Sequence, residues 1–506
     1  MIVLERYDQL DLDAYRRVVV QHEPLNLAAT LLRRVEDSRR LMEDHLASGA
    51  EVYGVTTGLG YLGRRPIAAE DRLALQRSIV VGRAAGVGEP LPEEVVRGAL
   101  LLRLTGFLSG HAGVTPGLCR FIADRLGDGW YPVVPASRPG TAGETILLSH
   151  LFQTFIGEGD VLVGGERVPA AEALARLGAA PYELQLKEGL ALVGGAPVAP
   201  ALAAMLAARA EALLDHATLL GALAAALVGA SARPYSPRIG RLKGDAGQQR
   251  VHARLAELWA GAPPADTPQA PVSLRVLPQV HGAAQDQLDN LAGQLERELH
   301  AVTDSPLYLG AEGDEPEGFY PTGNFHSQAL SVSLDAMSIA FAQVASLAEK
   351  RLSRLLDSRF SGLPEQLSPD PDRGQAGLVT LHKAVVGLSA ENRLLAAPAS
   401  VHASDTSSGQ EDFQAFTALA ADKLGRLLDN LELTLAYELV ALRQARELGA
   451  ASLSPLLTDA IEIAASAIEP VRSDRSLGPD VERARELIRS GELTAARNRH
   501  TPARMG

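Results

Sequence analysis

The chain has little of what marks several protein classes. It carries one cysteine, Cys119, in 506 residues, which excludes an intrachain disulfide and fits a reducing cytoplasm. It has no run of lysines and arginines, no zinc-finger spacing and no basic stripe. Its formal net charge is −13, so a nucleic-acid partner is not expected. Aromatic residues make up 4% and β-branched runs are short, which disfavours an extensive sheet. The opening Met1-Ile2-Val3-Leu4-Glu5-Arg6-Tyr7 lacks a cationic segment followed by a long apolar one, so no signal peptide is read there. The most apolar long stretch, 199–230, is broken by Arg209, Glu211, Asp215 and His216. A membrane span needs about 20 predominantly apolar residues, so this stretch reads as a buried helix and no membrane partner is expected. No P-loop, dinucleotide fingerprint, His-x-x-x-His pair or Gly-x-Ser-x-Gly elbow occurs in a credible context.

What is present is alanine and leucine at helical spacing. Residues 1–50 read as two short helices with Asp11, Asp13 and Asn26 as caps. Helices are predicted at about 69–85 and 93–109, and another opens near Glu144 after a Pro/Gly loop over 130–143. Longer ones are predicted over 199–230, 278–303, 325–357, 375–396 and 411–449. In the last, Leu424, Leu427, Leu428, Leu431, Leu435 and Leu439 keep a helical period. The fold class read from this is mainly α, with a long antiparallel bundle. The division is an N-terminal helical domain over 1–200 and a long-helix bundle over 201–506, ending in short helices and a frayed basic tail.

A series of motifs runs in order along the chain. These are Tyr53-Gly54-Val55-Thr56-Thr57-Gly58, Leu75-Gln76-Arg77, Ala85-Gly86-Val87-Gly88, Leu147 to His150, Ile156-Gly157-Glu158-Gly159 and Lys187-Glu188-Gly189-Leu190. Ser273-Leu274-Arg275, Pro278-Gln279-Val280, Thr303-Asp304-Ser305-Pro306, Gly323-Asn324-Phe325-His326 and Gln410-Glu411-Asp412 follow. In this order the set resembles the histidine/phenylalanine ammonia-lyase family. The resemblance implies a central helical bundle, a carbon–nitrogen lyase acting on a small-molecule carboxylate, and a homotetramer whose active sites are each built from more than one subunit.

It also implies roles. Tyr53 matches the catalytic base; a free tyrosine titrates near pH 10 and needs nearby cations or donors to act at neutrality. Arg275 matches the substrate-carboxylate clamp, for which a guanidinium fork is suited. Glu411 falls where histidine-specific members place a glutamate to accept from imidazole; a glutamate at a helix start also simply favours the dipole. Gln269 and Phe325 match pocket positions. His382 and Lys383 lie on a helix beside the pocket, and adjacent helical residues diverge by about 100°, so at most one faces it.

The departures from the family pattern cluster. The family's Ala-Ser-Gly triplet cyclises to a methylidene-imidazolone, and here it is Thr141-Ala142-Gly143. Gly194 replaces an asparagine, Val272 a tyrosine and Arg83 a histidine. From Ala142 no cofactor is expected. A trimethylammonium has no N–H and is primed to leave, and Gly194 and Val272 make room for it. The set resembles the ergothionase branch, so the expected reaction is elimination of trimethylamine from a histidine-derived betaine such as ergothioneine. A hydratase, isomerase or cyclase on another carboxylate, or a non-catalytic relative, remain as alternatives.

Overall fold

The computed structural model describes residues 1–263 and 269–495; the expected basic tail falls mainly on 496–506, outside them. The chain is mainly helical, and the long helices lie where leucine periodicity puts them: Glu93–Leu108, Val198–Leu227, Leu277–Glu298, Gln328–Leu356, Val379–Leu395 and Thr417–Leu448. Every leucine of the 424–439 series is fully buried, each worth about 1.5–3 kcal/mol of transfer free energy. The last of these helices starts six residues later than predicted. Ser407, Ser408 and Phe416 take positive φ, and Thr406 pairs with Glu411 in an isolated bridge. The helix therefore opens only at Thr417, and Glu411 lies in the preceding loop.

Asp11 caps the Leu12–Val19 helix by accepting the Ala14 N–H at 2.7 Å. Asn26 is not a cap: it belongs to the strand Leu25–Leu27, which pairs in parallel with Ile2–Leu4, and Ala28 precedes the Ala29–Ala47 helix without a side-chain cap. Two further small sheets were not predicted. Trp130–Pro132, Asp160–Val163 and Glu166–Pro169 form an antiparallel trio, and Leu307–Leu309 pairs with Gly318–Tyr320. The 163–166 turn needs positive φ at both central residues, supplied by Gly164 and Gly165.

The chain divides into two compact units. The first comprises Met1–Met205, Leu291–Val332 and Ala399–Ala421; the second comprises residues 206–290 and 333–398 and those from 422 onward. In the first, Leu100, Leu104, Phe107, Ile122, Leu148, Phe152 and Phe155 build the core, with the Phe152 and Phe155 rings edge to face at 5.2 Å. In the second, Arg351 and Glu438 form a fully buried ion pair, bidentate at 2.7 Å on both arms. Two stretches, Glu188–Leu227 and Gln328–Leu356, are long and apolar enough to cross a membrane, but most of each is buried inside the protein, as in core helices.

Candidate active site

The first unit gathers Tyr53, Arg83, Thr141 to Gly143, Gly194, Phe325 and Glu411. Tyr53 stands on an irregular turn closed by Thr56, whose hydroxyl accepts the Val52 N–H at 2.7 Å. Gly54 follows at φ +69°, where a Cβ would press into Leu190, so glycine is needed there. Its carbonyl accepts from the buried Gln76 amide at 2.9 Å, and Gln76 in turn accepts the Leu190 N–H. The loop root is thus fixed while the Tyr53 ring stays 39% exposed. The Tyr53 hydroxyl oxygen accepts the Gly60 N–H at 2.6 Å, one of the donors a tyrosine base requires.

The turn at Gly60–Leu62 packs against the turn at Ser407–Gly409, which brings the Glu411 loop to the tyrosine. Glu411 accepts the Ala142 N–H at 2.9 Å and the Ser407 hydroxyl at 3.2 Å. Arg83, just past the Arg72–Val81 helix, donates to the Ile79 carbonyl at 3.1 Å. Burial lowers its pKa, and the Tyr53 and Glu411 charges oppose that shift. Tyr53, Arg83 and Glu411 are therefore near enough to interact electrostatically. Phe325 lies against Gly143, where a Cβ would come within 3.4 Å of the Phe325 Cβ.

A buried polar layer supports these residues, and none of its members was given a role in the sequence analysis, although Lys187 and Asp304 fall in the motifs. Gly194 leads to Asp304: a Cβ at 194 would sit 3.1 Å from its carboxylate. Asp304 accepts from Lys187 Nζ at 2.6 Å and from Arg103 at 3.4 Å, and Lys187 also donates to the Ala112 carbonyl at 2.7 Å. Burial pushes the Lys187 ammonium below its ordinary range. Lys187 is a non-glycine residue at φ +70°, which one sequence does not show. Glu144 accepts the Val198 and Ala199 N–H groups at 2.6 and 2.5 Å. It thereby satisfies two donors of the Val198–Leu227 helix start. Burial raises its carboxyl to about 8 against the pull of those two donors.

The second unit holds the other expected residues. Arg275 closes the short Val272–Arg275 helix and donates from Nε to the Ala270 carbonyl at 2.8 Å. Turned to satisfy both groups, the Gln269 amide oxygen accepts from both Arg275 terminal nitrogens at 2.9 and 3.1 Å. Gln269 thus holds the guanidinium. Val272 is 59% exposed. His382 Nε2 is 2.7 Å from the Glu349 carboxylate, so it is already engaged, and Lys383 is exposed. Among the described residues no group of three or more His, Cys, Asp or Glu side chains could hold a metal.

The sequence model of the aromatic amino acid lyase family matches residues 10–468. The histidine ammonia-lyase of Symbiobacterium thermophilum is 36% identical over 477 residues, 93% of each chain. Two solved structures share the fold. The histidine ammonia-lyase of Trypanosoma cruzi superposes with a TM-score of 0.88 at 27% identity, covering 99% of this chain and 96% of that one. The ergothionase of Treponema denticola, in complex with desmethyl-ergothioneine sulfonic acid, has a TM-score of 0.92 at 25% identity, covering 97% and 99%. The mainly α fold of the histidine/phenylalanine ammonia-lyase type stands.

These relatives correct two readings of the sequence. Trimethylamine elimination from a betaine does not stand, because several curated relatives at 34–36% identity over most of the chain are named histidine ammonia-lyases. Small residues at 194 and 272 are weak against a match of that extent, since room for a bulkier amine is not by itself a preference for one. The assignment of no cofactor falls with it, since the family resemblance implies the methylidene-imidazolone for enzymes of that name. The fit at residues 141–143 is a separate, local matter. Ala142 ends in a methyl group with no hydroxyl to lose, and its N–H is held by Glu411. The triplet does not fit the group, and no step is derived through it.

Proposed function

The chain belongs to the aromatic amino acid lyase family, and we propose that it removes ammonia from an α-amino acid bearing an imidazole ring, with histidine as the first substrate to test. The observation that carries this is Glu411 held in one unit with Tyr53 and Arg83. A carboxylate is the acceptor an imidazole N–H calls for. In the free chain that acceptor is occupied by the Ala142 N–H, which the substrate ring replaces.

In this reading Tyr53 takes the β-proton, the C–H pair becomes the double bond, and the protonated amino group, an ammonium, departs with the C–N pair as ammonia. The Gly60 N–H donates to the Tyr53 oxygen, and Arg83 supplies a positive charge in the same unit. Gln269 holds the Arg275 guanidinium, the carboxylate-binding group. Phe325 packs the substrate ring, and Gly194 leaves space around the amine. His382 is tied to Glu349, so its part is to fix its helix, and Lys383 is the freer of the pair.

Self-association as a homotetramer belongs to the same reading. Val386 and Leu394 are 48% and 78% exposed on the Val379–Leu395 helix, and Val401 beyond it is 73% exposed. A cytoplasmic location agrees with the lone, buried Cys119.

The test is to incubate the purified chain with L-histidine and follow ammonia release together with the near-ultraviolet absorbance of the conjugated acrylate. Both are expected, and both vanish in Tyr53→Phe. Absence of ammonia from histidine, with or without release from phenylalanine or tyrosine, overturns the reading.

A further inference from the structure

Among the buried side chains of the second unit that carry polar atoms without a partner among the described residues are Arg351, with Nη1, and His281, with Nε2. Buried polar groups are paired as a rule, with protein or with ordered water, and each orphan costs about 1–3 kcal/mol.

The two atoms are complementary. Arg351 spends Nε and Nη2 on Glu438, which leaves Nη1 as a pure donor. His281 Nδ1 lies 2.9 Å from the Thr218 hydroxyl, and that hydroxyl donates to the Leu214 carbonyl at 2.8 Å. Thr218 has one proton and has used it, so it must accept from Nδ1–H. Burial and the nearby Arg351 charge keep the imidazole neutral. Nε2 is then bare and can only accept.

The two also lie against the same strip of one helix. His281 meets Thr218, and Arg351 meets Gly221, where an added Cβ would stand 3.5 Å from the guanidinium carbon. Positions three apart on a helix are neighbours at about 5–6 Å. Gly221 carries no side chain at this strip, and Leu277 also approaches it, at 2.9 Å from that Cβ.

We infer that a single water molecule is bound there, accepting from Arg351 Nη1 and donating to His281 Nε2. A water completes two to four such bonds in a buried site. An anion does not fit, because the Arg351 charge is already matched by Glu438 and a bare imidazole nitrogen repels negative charge. A cation does not fit beside the guanidinium.

Crystals of the full chain diffracting well enough to show ordered water, with a second set soaked in bromide, decide it. The expected result is one oxygen-sized peak within hydrogen-bonding distance of both atoms, and no anomalous peak there after bromide. A direct Arg351–His281 bond, a dry gap, or a bromide peak overturns the inference. His281→Phe adds an arm in solution. It is expected to fold, to lose the peak and to unfold at lower urea than the parent; a peak unchanged in that variant also overturns the inference.

Discussion

At the residue scale the site depends on a few groups whose partners can be removed one at a time. Tyr53→Phe keeps the ring and deletes the proton acceptor; elimination is expected to fall by at least about 100-fold, the low end for a general base, while an inhibitor still binds, checked by calorimetry. Glu411→Gln removes one charge-assisted bond, worth about 1.5–3 kcal/mol, so kcat/KM for histidine is expected to drop by about 10- to 100-fold with a smaller loss for phenylalanine. Glu144 makes a pH prediction. Its ordinary value is 4.5 and the folded chain raises it to about 8 through burial, so the folded state binds the proton more tightly than the unfolded one. This contribution to stability is whole below 4.5 and is lost as pH rises through about 8. Urea midpoints measured from pH 5 to 8 are expected to fall, with a flatter slope in Glu144→Gln. Of these residues, Tyr53 and Glu411 stand in the ordered motifs and Arg83 among the departures from the family pattern. Lys187 and Asp304 also fall in the motifs, but their pairing with each other and with Arg103, and the burial of Glu144, were not legible, since a buried ion pair looks in sequence like any scattered charges.

At the element scale, leucine spacing located the long helices to within a few residues except where turn chemistry intervened. Local sequence did not reveal that Ser407 and Ser408 take positive φ, because serine rarely does so unless surrounding structure imposes it. That delay keeps Glu411 off the helix and frees its backbone to pair with Thr406, so its placement owes nothing to a helix dipole. The three small sheets were missed because each strand is three or four residues long, too short for a period to register. Leu431, fully buried in the Thr417–Leu448 helix, tests how much that helix contributes. Leu431→Ala is expected to cost about 2–5 kcal/mol, read from urea unfolding.

At the scale of the whole molecule, light scattering is expected to report four copies of the 53.5 kDa chain. Val386→Asp with Leu394→Asp is expected to shift it to smaller species, since charges at a buried apolar contact are costly. Sequence alone determined the helical class, the family resemblance and the separate identities of Tyr53, Arg275 and Glu411, because composition, period and motif order are properties of a string. It also led to a betaine substrate and to no cofactor, both corrected by the relatives, because a missing hydroxyl at Ala142 describes one atom and not the reaction of a whole chain. Only the tertiary structure decided that Glu411 holds the Ala142 N–H, that Gln269 holds Arg275, and that Arg83 is near enough to Tyr53 to interact electrostatically. Hydrogen bonds and Coulomb forces act over a few ångströms, and which residues come that close is settled by the packing of helices far apart in the chain.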